Sequence, residues 1–189
     1  MVEHEADPVI LVGHSRGGVV ISEVAERIPD RIAALVYVSG YLYSSGQSIL
    51  SNAPSPSTGG ANIFDMRENG TCVLKSECVR PIFYNGCTED EVATLSRRLS
   101  PEPLWAFTTP VEVSEGRFGR VKRAYVEAKQ DNIVPLDTQR AMQAALPCSP
   151  VFTLDSDHSP FFSKPHELAQ CFLSVAAQVT SESASARCN

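Results

Sequence analysis

A chain of 189 residues, 43% hydrophobic and 20% charged, is long enough to bury a substantial core as one domain without disulfides or a metal. A formal net charge of -6, from 22 acidic and 16 basic residues, argues against nucleic acid or an anionic membrane as the main partner. No apolar run is long enough to cross a bilayer, and the opening MVEHEAD is acidic where a secretory leader would be basic and then apolar, so a cytoplasmic protein is expected.

The six cysteines, Cys72, Cys78, Cys87, Cys148, Cys171 and Cys188, read as reduced thiols in that compartment, with one bridge among the first three expected only in an exported protein. None sits in a C-x-x-C pattern with histidines at ligand spacing, so neither a metal nor a cofactor is called for. The basic cluster RFGRVKR, Arg117 to Arg123, is interrupted by Phe118, Gly119 and Val121 and reads as a solvated approach to a strand.

In chain order, Val2–Ala6 reads as a last helical turn. Val9–Val12 is apolar on both faces, as expected of a central parallel strand with neighbours on both sides. It breaks at Gly13-His14-Ser15-Arg16-Gly17, a G-x-S-x-G turn in which small residues two before and two after the serine let the backbone fold sharply. Val20, Ile21, Val24, Ala25 and Ile28 then recur at helical spacing until Pro29-Asp30, and Ala33–Val38 is a second buried strand. Residues 41–110 change grammar. Ser51–Gly60 is a loop by composition, and Ile63–Leu74 is a hairpin around Asn69-Gly70, read as a type I′ turn although Asn-Gly-Thr is also a glycosylation sequon. Thr88 and Glu91 form a capping box opening a helix to about Leu99. An insertion of this size after a strand reads as a lid, with Phe83, Tyr84, Leu104, Trp105 and Phe107 as its apolar content, more lid core than substrate contact. Ala124–Ala128 is a third strand, Asp137–Leu146 a helix, and Val151–Leu154 a fourth strand. A final helix takes Ser163 as its N-cap and Pro165 in its first turn, and SESASARCN is a polar, frayed tail.

Parallel strands bring their carboxyl ends to one edge, so Ser15, Asp131 and His158, each just past such an end, can meet. A serine hydroxyl needs an imidazole to take its proton, and the imidazole needs a carboxylate to fix its tautomer. Ser15 is therefore the candidate nucleophile, His158 the base and Asp131 the acid. Asp155 and Asp157 compete for the acid role, although beside the histidine they would more naturally cap its loop. His14 is expected to point away from the serine, His4 lies in the ragged start, and His166 opens the last helix.

These residues resemble the α/β-hydrolase-fold serine esterases, in the branch holding plant methyl esterases, hydroxynitrile lyases and salicylate-esterase-like and pyrethroid-hydrolase-like bacterial proteins. PVILVGHSRGG with PDRIAALVYVSG is similar to that family's nucleophile region, FYNGCTEDE and LSPEPLWAFTTPV to its lid, and RAYVEAKQDNIVPLDTQRAM and LDSDHSPFFSKP to its acid and histidine regions. The resemblance implies an α/β fold in which the chain is the C-terminal portion of a mostly parallel sheet with helices on both faces and a lid insertion. Residues 1–40 and 111–180 would form the core, 41–110 the lid and 181–189 the tail. It also implies Ser15 as nucleophile, Asp131 as acid, His158 as base and the Arg16 backbone N–H as half of the oxyanion hole. Ser159 stands where the lyases carry a lysine, which favours esterase over lyase chemistry. The family's earlier strands, including the one whose His-Gly turn gives the second oxyanion donor, have no counterpart here, so weak activity and self-association through a bare sheet edge are expected. The function expected is hydrolysis of a small, largely apolar ester; the alternatives are a weakly active or non-catalytic fragment, and lyase-type chemistry.

Overall fold

The computed structural model describes residues 7–52 and 63–187, with side chains through residue 182. The helical turn expected at Val2–Ala6, His4, nearly all of the Ser51–Gly60 loop and Cys188 lie outside the described residues. In chain order, β1 (Val9–His14) leads into α1 (Gly17–Arg27) and β2 (Ile32–Val38). The insertion contributes β3 (Phe64–Met66), β4 (Thr71–Leu74), α2 (Ser76–Phe83), α3 (Glu89–Ser96), the short β5 (Glu102–Pro103) and α4 (Trp105–Thr108). The core resumes with β6 (Arg123–Ala128), α5 (Leu136–Ala145), β7 (Val151–Leu154), α6 (Pro160–Ser163) and α7 (Pro165–Arg187).

The strands β1, β2, β6 and β7 lie in that order in one sheet, every pair parallel. Side chains alternate across a strand, so the uninterrupted apolar runs supply both faces. Leu35, Tyr37 and Tyr125 face one layer, packing with Ile21 and Ala25 of α1 and Met142 of α5. Ala34, Val36, Val38, Ala124 and Val126 face the other, against Leu168, Cys171 and Val175 of α7. The two tyrosines keep their hydroxyls satisfied inside the core. Tyr37 shares a 2.8 Å bond with the Ser22 hydroxyl, and Tyr125 donates to the Gly40 carbonyl at 2.8 Å.

β1 has the both-face apolar pattern of a central strand, and, as the expected bare edge requires, among the described residues it pairs with β2 alone, with Val12 and Val20 46% and 52% exposed. An apolar pattern reports what layers lie above and below a strand, whereas edge or centre depends on hydrogen-bonding neighbours that the pattern does not encode. Several elements differ from the sequence reading. At Asn69-Gly70 only Gly70 is left-handed (φ 76°), which rules out a type I′ turn. The turn is longer instead, with the Gly70 N–H donating to Arg67 at 3.1 Å and the Arg67 N–H to Thr71 at 2.8 Å. α2 carries Pro81 inside it, which is why propensity hid it. Ser163 does not cap α7; it lies in α6 and its hydroxyl donates to Asp157. The backbone of α7 stays helical to Arg187, through most of the segment expected to fray.

The insertion has its own three-stranded sheet, β3-β4-β5, and its own apolar cluster of Leu74, Val79, Tyr84, Cys87 and Leu95. The capping box forms as expected: the Thr88 N–H donates to Glu91 Oε2 at 2.8 Å and the Glu91 N–H to Thr88 Oγ1 at 3.4 Å. Within the basic cluster Arg117 pairs with Glu26, Arg120 with Asp30 and Lys122 with Glu182, while Arg123 lies over the Phe118 ring at 4.9 Å. Cys72, Cys78, Cys87, Cys148 and Cys171 are free thiols.

Candidate active site

The site is built at the carboxyl ends of all four parallel strands. β1 ends at His14, and the next residue, Ser15, adopts φ 51°. A left-handed backbone is costly for a serine, so something must hold it. Its N–H donates to the Val38 carbonyl at 3.2 Å, and its carbonyl accepts from Gly18 and Tyr41, each at 3.0 Å. That folding needs bare backbone at particular places. A Cβ on Gly13 would stand 2.5 Å from the Gly17 oxygen, and one on Gly18 would stand 2.4 Å from the Tyr41 oxygen. A Cβ on Gly17 would meet nothing within 4 Å. The sequence reading places the second small residue at 17; the close approach falls at 18.

Asp131 lies three residues past the end of β6 and is buried. Its Oδ1 accepts from the N–H groups of Ile133 at 2.8 Å and Val134 at 2.9 Å, which aims Oδ2 at the site. Oδ2 meets His158 Nδ1 at 2.7 Å and also accepts from the Ser39 hydroxyl. A carboxylate only accepts, so Nδ1 of His158 carries the proton and Nε2 is left with its lone pair. His158, 2% exposed, follows β7, and Phe83 of α2 stacks on its ring at 5.2 Å, bringing a residue of the insertion beside it. The two competing acids go elsewhere. Asp155 pairs at the surface with Lys129 and Gln130, and Asp157 turns into its own loop and toward Gly86 of the insertion. His166 is exposed in α7.

Ser39 and His14 are site residues that sequence reasoning missed. Ser39 ends β2 as Ser15 ends β1, with φ 42°, its N–H on the Val126 carbonyl at 2.9 Å and its hydroxyl on Asp131. The available signal is similar in both places, a serine within two residues of glycine where a fully apolar strand stops. His14, expected to point away, donates from Nε2 to the His158 carbonyl at 2.7 Å, and the two rings lie 4.5 Å apart. Burial pushes the His14 imidazole down to about 3, with the neighbouring His158 acting the same way, so at neutral pH it is an uncharged donor. Unfolded, it takes a proton near 6.5; folded, not until about 3, so its contribution to stability is complete above 6.5 and is lost as the pH falls between those values. Urea unfolding at stepped pH should therefore show a steeper acid loss for the wild type than for His14→Gln over that window; parallel curves would contradict it.

The Arg16 N–H, at the head of α1, has no acceptor among the described residues, as a developing oxyanion would require. The Arg16 side chain reaches into the insertion and pairs with Glu102, and its guanidinium lies 6.0 Å from the Phe107 ring. A cavity of about 380 Å³ between α3 and α6, lined by Asp90, Glu91, Thr94, Leu95, Phe161 and Phe162, is separate: none of Ser15, Asp131 or His158 lines it. Among the described residues no group of histidines, cysteines and acids could hold a metal ion.

The profile of the Alpha/beta hydrolase family matches residues 1–171. The chain belongs to that family. This hydrolase is 29% identical over 192 residues to Methylesterase 17 of Arabidopsis thaliana, a match covering 94% of the chain and 69% of the relative. It is 29% identical over 177 residues to the pyrethroid hydrolase of Sphingobium wenxiniae, covering 88% and 63%. It spans 41% of the length of one Arabidopsis methylesterase it matches and 70% of another. Among solved structures, a pyrethroid hydrolase from Sphingobium faniae superposes with a TM-score of 0.79 at 27% identity, over 93% of this chain and 73% of that one. The hydrolase thus groups with esterase-type members of the family.

Proposed function

We propose that this chain is a cofactor-independent serine carboxylesterase acting on a small, largely apolar ester, with Ser15 as nucleophile, His158 as base and then acid, Asp131 as the acid that orients it, and the Arg16 N–H as an oxyanion donor. The observation that carries the reading is the junction of three strand ends. A serine held left-handed after β1 follows His14, whose ring bonds the His158 carbonyl, and the His158 imidazole has its Nδ1 fixed by a carboxylate at 2.7 Å; no hydrogen bond joins the Ser15 hydroxyl to His158 among the described residues. The relatives are consistent with it, being named methylesterases and a pyrethroid hydrolase.

In the first step the Ser15 oxygen attacks the ester carbonyl while its proton passes to Nε2 of His158, and the negative oxygen of the tetrahedral species meets the Arg16 N–H. The imidazolium, stabilised by Asp131, returns that proton to the departing alcohol as the C–O bond breaks. Water repeats the sequence on the acyl-enzyme, giving acid and free serine. A fluorophosphonate probe followed by peptide mapping tests this directly. Label on Ser15 is the expected result, and label on another serine with Ser15 untouched would sink the assignment.

A further inference from the structure

The peptide unit joining His158 to Ser159 is gripped at both of its polar ends. Its carbonyl accepts from His14 Nε2 at 2.7 Å, and its N–H donates to Asp157 Oδ1 at 3.0 Å. Each holder is itself fixed. The His14 ring stands edge-on to Phe161 at 4.9 Å. Asp157 is fully buried, its Oδ1 accepting also from the Ser163 hydroxyl at 2.7 Å and its Oδ2 from the Gly86 N–H of the lid at 2.9 Å. Position 86 is close-fitting: a Cβ there would lie 3.3 Å from the Asp157 carboxylate.

A single hydrogen bond at Nδ1 lets an imidazole pivot about that contact, and the pivot swings Nε2 away from the nucleophile. Fixing the plane of the adjoining peptide narrows that pivot, because it anchors the His158 Cα from which the side chain leaves the chain, while the Phe83 ring stacked at 5.2 Å limits the turning of the imidazole itself. We propose that His14 and Asp157 are positioning residues that lock the 158–159 peptide plane and so aim Nε2 of His158, and that Asp157, through Gly86, makes the seating of the lid part of that aim. The inference rests on His158 being the base.

The test uses the 189-residue chain as wild type, His14→Gln, His14→Asn, Asp157→Asn and Ser15→Ala. Glutamine can carry an N–H to the His158 carbonyl; asparagine is too short. Three readouts are taken: the downfield NMR signal of the His158 Nδ1 proton, the rate at which a fluorophosphonate labels Ser15, and kcat and KM for a small aryl ester. His14→Asn and Asp157→Asn should broaden or shift the downfield proton and slow labelling and kcat by about 10²-fold, the scale of a misplacement of about 1 Å, with KM unchanged. His14→Gln should restore all of them toward wild type, which a merely structural role for the ring would not do. A folded His14→Asn or Asp157→Asn with wild-type proton signal and labelling rate overturns the proposal. The two variants cut opposite ends of one grip, so either folded variant decides it. Ser15→Ala separates the two claims: if it is still labelled, the nucleophile assignment fails, while the proton signal continues to judge the grip.

Discussion

Ser15→Ala should abolish hydrolysis of a small aryl ester, with a loss on the order of 10⁶ in kcat, the scale seen when a triad nucleophile is removed. The size follows from the backbone. No other hydroxyl occupies the left-handed position after β1, and the serine at the equivalent place after β2, Ser39, spends its proton on Asp131. Water would have to attack without a covalent intermediate, keeping only what binding and the Arg16 N–H contribute. Alanine tolerates the same backbone no worse than serine, so thermal unfolding should be little changed. Steady-state hydrolysis against a melting curve checks both halves, and appreciable turnover by a folded Ser15→Ala would reject the mechanism.

Asp131→Asn should keep the fold and lower kcat on the order of 10⁴-fold. The reason is legible in the hydrogen bonds. The oxygen that accepts from Ile133 and Val134 must stay an oxygen, or two backbone donors lose their partner. The amide NH₂ is thereby forced toward His158 Nδ1 and the Ser39 hydroxyl. Facing a donor, the imidazole must turn its lone pair to Nδ1 and its proton to Nε2, where it can no longer accept from Ser15. Asp155→Asn touches only Lys129 and Gln130 at the surface and should behave like wild type. Esterase assays on the two variants side by side decide it; a costly Asp155→Asn with a harmless Asp131→Asn would move the acid.

What could be read from the residues was whatever depends on local pattern. Apolar runs stopping at Gly13-His14-Ser15, at Lys129-Gln130-Asp131 and at Asp155-Ser156-Asp157-His158 mark strand ends, and parallel strands share an edge, so the three candidate positions follow without knowledge of any contact. The junction of Asp131 and His158 is as expected. What depends on closeness between distant backbones was not legible. Gly17 and Gly18 look alike in sequence, and only the approach of Tyr41 tells which of them must lack a side chain. Ser39 and His14 gain their roles from partners on other strands, and the helix around Pro81 forms against its own propensity. The bare edge of β1 was legible differently: an apolar run on both faces marks a strand covered above and below, and no earlier segment reads as the strand beside it.

Ser15 and Ser39 are the two non-glycine residues with positive φ among those described, and they sit side by side at the ends of neighbouring strands. Each such conformation carries a standing cost of about 1–3 kcal/mol in every folded molecule, working or idle. Glycine at either place would relieve it and would also delete a hydroxyl that the site uses. Heat tolerance and turnover therefore pull in opposite directions at these two positions, and a campaign that ranks variants by melting temperature alone would drift toward a sturdier and silent protein.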